Sequence, residues 1–207
     1  MSGIGFLAAP PLTDEARRMF DEDIADAGHV MNTSRLWAYR PDLVAGLFEL
    51  LREAGAAAAL DARERGVLVA ACASAGGDSY CSLAWGSRLA EASEPDTAAA
   101  VLRGADTGLT DRERALAGWV RKVAGGPHGT TGEDVQELRD AGWDDRRIFA
   151  ITVFAALRVA FSTVNGALGA RPDAAFRTTA PPAVLGAVTY GRPIEDEPSM
   201  PGRRLGE

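Results

Sequence analysis

Two short stretches, LDARER at 60–65 and LTDRER at 109–114, stand 49 residues apart and read as the same helix start written twice. In the first, Asp61 precedes Glu64 by three residues; in the second, Thr110 precedes Glu113 by the same step. That is capping-box spacing, in which a short polar side chain and a glutamate satisfy each other's free backbone N–H groups. Behind the first start the chain is apolar on most sides from Val67 to Ala73, as a central helix requires; behind the second, Leu116, Val120 and Val123 fall on one helical face. A chain with these two starts is predicted to be all-α, built on a duplicated helical hairpin.

The rest of the chain extends the same reading, and no strand pattern precedes the tail. Thr13 caps a first amphipathic helix with Ala16, Met19, Phe20 and Ile24 on its inner face, and Gly28 stops it. An Asn-Thr-Ser cluster opens a short helix. Pro41 starts the next, which closes near Gly55 with Leu43, Leu47, Leu50 and Leu51 as its buried face. Thr131 to Gly142 reads as a short helix, and the segment from Asp144 to Gly169 as a long, mostly buried one. The organisation is one helical domain over 1–170, followed by an extended, proline-rich C-terminal arm over 171–207.

Charge and composition exclude several classes. Lys and Arg number 22 against 29 Asp and Glu, a net charge of -7, with no basic block and no interleaved aromatics, so nucleic acid is not an expected partner. The start is cut short by Pro10 and Pro11, and the longest uncharged apolar run, Ile148 to Leu157, falls short of a membrane span, so a cytoplasmic protein without membrane contact is expected. Two cysteines make no disulfide scaffold, and with only His29 and His128 a metal site lacks material; no cofactor is called for. Both histidines lie in predicted turns, and neither is assigned a role.

Chemistry concentrates in AGGDSYCSLAWG, residues 75–86. After the Gly76-Gly77 turn, Asp78 caps a helix and Cys81 sits in its first turn, where the partial positive charge of the helix end favours thiolate. Asp78 opposes a second negative charge, and Leu83, Ala84 and Trp85 offer desolvation without a cation. Arg88, on the same helical side as Cys81 and Trp85, supplies a cation if it bends back. Two readings stay open: a working thiol, or a small buried hydrophobe, which is how Cys72 reads. Asp78 reads as a cap or as an acid or base beside the aromatic Tyr80 and Trp85, and Glu64 as the capping partner of Asp61. Arg158 and Asn165 on the long helix need partners if buried, as pocket lining or as a tie between helices.

The order of the Arg-Glu-Arg helix, the Tyr-Cys helix start, the Gly-Trp-Asp-Asp turn and the Val-Asn-Gly-Ala-Leu-Gly end resembles the alkylhydroperoxidase D-like (AhpD-like) branch of the carboxymuconolactone decarboxylase superfamily, in particular its peroxidase-related members, over about residues 30–170. The resemblance implies an AhpD-like helical bundle that assembles as a homo-oligomer, a dimer, trimer or hexamer. It also implies a relay of Cys-x-x-Cys-x-x-x-His with a glutamate on the preceding helix. Here Asp78 fills the first cysteine slot, Cys81 the second, Trp85 the histidine slot and Gly66 the glutamate slot, with Glu64 the nearest carboxylate.

The expected function is therefore a thiol-dependent, peroxidase-like oxidoreductase using the single Cys81, with Asp78 and Glu64 as further catalytic residues and Tyr80, Trp85 and Arg88 around the substrate. A sulfenic acid at Cys81 would be cleared by an outside thiol or by Cys72. Two alternatives stand beside it: a cofactor-free lyase or decarboxylase-type enzyme on a small organic acid or lactone, with Asp78 or Tyr80 moving a proton, and a non-catalytic ligand-binding member.

Overall fold

In the computed structural model, which describes residues 5–196, both repeated stretches open helices with their capping boxes formed. The elements are α1 (Asp14–Ala27), α2 (Asn32–Trp37), α3 (Pro41–Ala58), α4 (Ala62–Ala75), α5 (Ser79–Ala92), α6 (Pro95–Leu102), α7 (Asp111–Gly125), α8 (Gly132–Asp140), α9 (Asp145–Ala167), α10 (Phe176–Thr179) and α11 (Pro182–Ala187). There is no β-sheet among the described residues, so the fold is all-α. The helix starts follow local chemistry: Thr13, Asp61, Asp78, Thr110, Thr131 and Asp144 each accept a hydrogen bond from a backbone N–H in the first turn.

The centre is α4. Its residues from Gly66 to Ala73 are all buried, with α5, α6, α7 and α9 packed around it. The repeat has a direct structural counterpart, because Arg63 on α4 pairs with Glu113 on α7 (2.5 Å) and Arg112 on α7 pairs with Glu64 on α4 (2.8 Å). Equivalent residues of the two repeats thus exchange ion pairs. Each carboxylate also receives the capping N–H of its own helix, Thr110 N for Glu113 and Asp61 N for Glu64. Gly66 lies where α4 crosses α5; a Cβ there would stand 3.1 Å from Leu89 Cβ.

Two inner faces differ from the leucine-based expectation. α3 runs on to Ala58 and buries Val44, Leu51, Ala54, Gly55 and Ala58, while Leu43 and Leu50 are 53% and 52% exposed. The reason is close packing: Gly55 lets the Phe154 ring of α9 approach so nearly that a Cβ would stand 3.3 Å from it, and that approach turns the small-residue edge inward. On α1, Ala16 is buried as expected, but Ile24 is 52% exposed and Asp23 is buried in its place. The sequence reading passed over α6 altogether; Pro95 occupies its first turn.

Past α9 the chain crosses back over the start of α5. α11 packs on α5 and α6, and the extended segment after it is tied down where Ser79 Oγ donates to the Arg192 carbonyl (2.7 Å) and Tyr190 Oη to Ser82 Oγ (3.0 Å). The last part of the arm, 197–207, lies outside the described residues. By length and composition α9 is apolar enough to cross a membrane, with a mean hydropathy of 1.7 over its most apolar window, but here it packs against α3, α4, α7 and α8.

The crossed pairs give a stability prediction. Burial pushes the Glu113 carboxyl up, but hydrogen bonds from Arg63 and Thr110 outweigh it and hold the group below its ordinary 4.5. Glu113→Gln is expected to lower stability by about 2 kcal/mol at pH 7. A depressed folded-state value stabilises above the unfolded one and is lost as pH falls. Denaturant unfolding of variant and parent should therefore converge below about pH 4.5.

Candidate functional site

The Gly76-Gly77 turn delivers the chain from α4 into α5, with Gly77 at φ 68, and Asp78 Oδ1 accepts the Cys81 N–H (3.1 Å) as the cap. This fixes Cys81 in the first turn, 2% exposed, in a satellite cluster with Val44, Ala73 and Phe161 outside the main core. From α9, one turn apart, two donors point at the sulfur: Arg158 Nη2 at 3.2 Å and Ser162 Oγ at 3.8 Å.

Cys81 lines a cavity of about 680 Å³. Aromatic side chains enclose it: Trp37 and Phe161 stack at 5.7 Å between centroids, Phe48 meets Phe161 edge-on, and Trp85 closes another side. α1 supplies a wall through Met19 and an acidic border through Glu15, Glu22 and Asp26, which Asp42 of α3 continues. Two cations address the Trp85 ring, Arg88 at 4.7 Å and Arg158 at 5.4 Å from its centroid. Arg158 is only 4% exposed. Its one side-chain hydrogen-bond partner among the described residues is Cys81 Sγ, and its Nε has none.

Electrostatics at the sulfur are a contest. Burial pushes the Cys81 thiol up to about 12, the Arg158 guanidinium pulls down, and the Asp78 carboxylate adds to the rise. The resting group is the thiol, with a cation 3.2 Å away poised to stabilise the thiolate. Cys72 is pushed up to about 11 by burial and packs in the main core, its Sγ toward the Ala155 carbonyl. A second polar group borders the cavity. Tyr80, its hydroxyl kept protonated by burial and by Asp173, donates to Asp173 Oδ2 (2.5 Å), whose Oδ1 accepts from Asn32 N at the start of α2 (2.8 Å). His29 Nε2 lies 3.8 Å from the same carboxylate.

Of the residues singled out in the sequence, Cys81, Tyr80, Trp85 and Arg88 line this cavity together. Asp78 caps beneath it and borders a smaller polar cavity with Asn165 and Arg192. Glu64 stands apart, between the Asp61 N–H and Arg112. No group of three or more metal-ligating side chains is found among the described residues. Trp37, Phe48, Phe161, Ser162 and Met19 carry no local signal; they meet only through the packing of α1, α2, α3 and α9. Arg158 did carry one, a charge inside an otherwise apolar helix stretch.

Against solved structures the fold is that of the AhpD-like proteins. An uncharacterised peroxidase-related protein of Ralstonia eutropha JMP134, described as an alkylhydroperoxidase AhpD core, superposes with a TM-score of 0.70 at 26% identity, covering 85% of this chain and 96% of that one. A peroxidase-related protein of Silicibacter sp. TM1040 gives a TM-score of 0.74 at 20% identity over 86% and 98% of the two chains. The debrominase Bmp8, as a Cys-to-Ala variant in complex with 2,3,4-tribromopyrrole, gives 0.65 at 18% identity over 88% and 97%. No protein-family model matches the sequence, and no curated protein matches it.

The contest at the sulfur is measurable by alkylation. Iodoacetamide is expected to modify Cys81 slowly at pH 7 and faster as pH rises toward 12. Removing the cation raises the thiol further, so Arg158→Met is expected to slow alkylation about tenfold at a given pH, read by mass spectrometry of the Cys81 peptide.

Proposed function

We propose that this protein is a thiol-dependent oxidoreductase in which Cys81 reduces an organic hydroperoxide held in the aromatic cavity. The observation that carries the reading is that Cys81 lines the cavity with the buried Arg158 guanidinium 3.2 Å from its sulfur. In the first step the thiol proton passes to Asp78 and the thiolate attacks the terminal peroxide oxygen. The O–O bond breaks, the alcohol leaves as its oxygen takes back a proton, and Cys81 becomes a sulfenic acid. Two outside thiols then complete the cycle, the first forming a mixed disulfide with loss of water and the second releasing Cys81 as the thiol.

Arg158 favours the thiolate and the negative charge that develops on the leaving oxygen. Asp78 is suited to the proton because its Oδ2 is buried without a hydrogen-bond partner. The buried, core-packed Cys72 supports an outside resolving thiol over an internal one. The shared fold with peroxidase-related proteins supports the oxidoreductase class.

One observation favours a second reading. The cavity is far larger than a simple peroxide needs, and one structure of the same fold is a debrominase with 2,3,4-tribromopyrrole. A small ring compound or organic acid processed without a peroxide fits the same space, with Asp78 or Tyr80 moving the proton.

Cumene hydroperoxide mixed with the reduced protein is expected to give sulfenic acid at Cys81, trapped by dimedone, at a rate well above that of free cysteine. Cys81→Ser should abolish the reaction, and Asp78→Asn should slow it by about a hundredfold. A parent protein no faster than free cysteine would retire the peroxide chemistry in favour of the second reading.

A further inference from the structure

We infer that the cavity is a binding site for a flat aromatic ligand bearing a single negative charge, with Arg158 as its counter-ion. The inference shares with the proposed function the assignment of this cavity as the ligand site, but needs no chemistry at sulfur.

One buried charge in the cavity wall lacks a counter-ion among the described residues. Arg158 is 4% exposed, and among the described residues its guanidinium hydrogen-bonds only to Cys81 Sγ. Burying a guanidinium without an anion is costly, and buried charges are as a rule paired. Several partly buried arginines elsewhere are ion-paired, Arg63 with Glu113, Arg112 with Glu64 and Arg121 with Asp106, while Arg192 donates to the Gly166 carbonyl and lies over the Phe6 ring. Arg158 alone among these has a neutral thiol in that place.

The surroundings specify the rest of the ligand. Trp37 stacks on Phe161, Phe48 meets Phe161 edge-on, and Trp85 carries two guanidiniums, so the lining beside the cation is aromatic and suits a ring rather than an alkyl chain or a sugar. The border holds Glu15, Glu22, Asp26 and Asp42 against Arg18 and Arg88, and this acidic border disfavours a ligand with a second negative charge. A benzoate-like acid, an acidic phenol or an acidic azole has the required shape and charge.

Isothermal titration with benzoate, benzamide and terephthalate tests the inference. Benzoate is expected to bind at least tenfold more tightly than the isosteric, neutral benzamide, and terephthalate no more tightly than benzoate. Cys81→Ser should retain benzoate binding, so that a protein inactive toward hydroperoxides still reports on this site. Arg158→Met, checked for retained helicity, should lose the preference for benzoate and leave benzamide unchanged; Arg158→Lys should restore part of it. Equal binding of benzoate and benzamide to the parent protein, no binding of either, tighter binding of terephthalate, or an unchanged benzoate preference in Arg158→Met would each overturn it. The first three need only the parent protein and stand even if the Arg158 variants fail to fold.

Discussion

The crossed ion pairs between α4 and α7 set the register on which the rest of the bundle depends. Arg63 and Arg112 do more than meet Glu113 and Glu64. Arg63 also donates to the Gly108 carbonyl ahead of α7, and Arg112 to the Gly142 carbonyl after α8 while lying 3.4 Å over the Trp143 ring centroid. Each glutamate closes the first turn of its own helix at the same time. Helix start, helix pair and adjoining loops are thus fixed by the same four side chains, and neither helix can slide without uncapping itself. With α4 held, its far end is held too, and that end is the turn that places Asp78 and Cys81.

Much of this was legible because capping is local. A polar residue three positions before a glutamate identifies the start of α4 or α7 without knowledge of the fold, and the duplicated Arg-Glu pair announced the repeat. The inner face of α3 was not legible, because hydrophobicity pointed to Leu43 and Leu50, whereas the close approach of Phe154 rewards Gly55 and the alanines beside it. The candidate site divides along the same line. Tyr80, Cys81, Trp85 and Arg88 share one helix, so sequence spacing alone brought them together. The other aromatic walls, Trp37, Phe48 and Phe161, come from α2, α3 and α9, and no helical spacing relates them.

The slots of the implied cysteine, histidine and glutamate relay are filled in ways that packing explains. At 66 a side chain would run into Leu89, so the crossing of α4 and α5 leaves no room for a carboxylate there. At 85 an indole spreads across the cavity wall beneath two guanidiniums. At 78 the carboxylate is engaged in ending the turn and capping α5. Glu64, the nearest acid in sequence, is committed to Arg112. The charge that replaces these groups at the sulfur comes from Arg158 on α9 rather than from α4 or α5, the helices that carry the slots of the motif.

One wall of the cavity belongs to α1, and α1 is attached differently from everything else that encloses the thiol. Its 14 residues bury only Ala16 and Asp23, and its main packing is against α2 and α3. The rest of the enclosure comes from α2, α3, α5 and α9, of which α3, α5 and α9 also contribute to the main core. Such a helix can detach and return many times within the lifetime of a single native bundle, on the timescale of local opening rather than of unfolding. Opening on the α1 side is thus separated from the stability of the core that α3, α5 and α9 share.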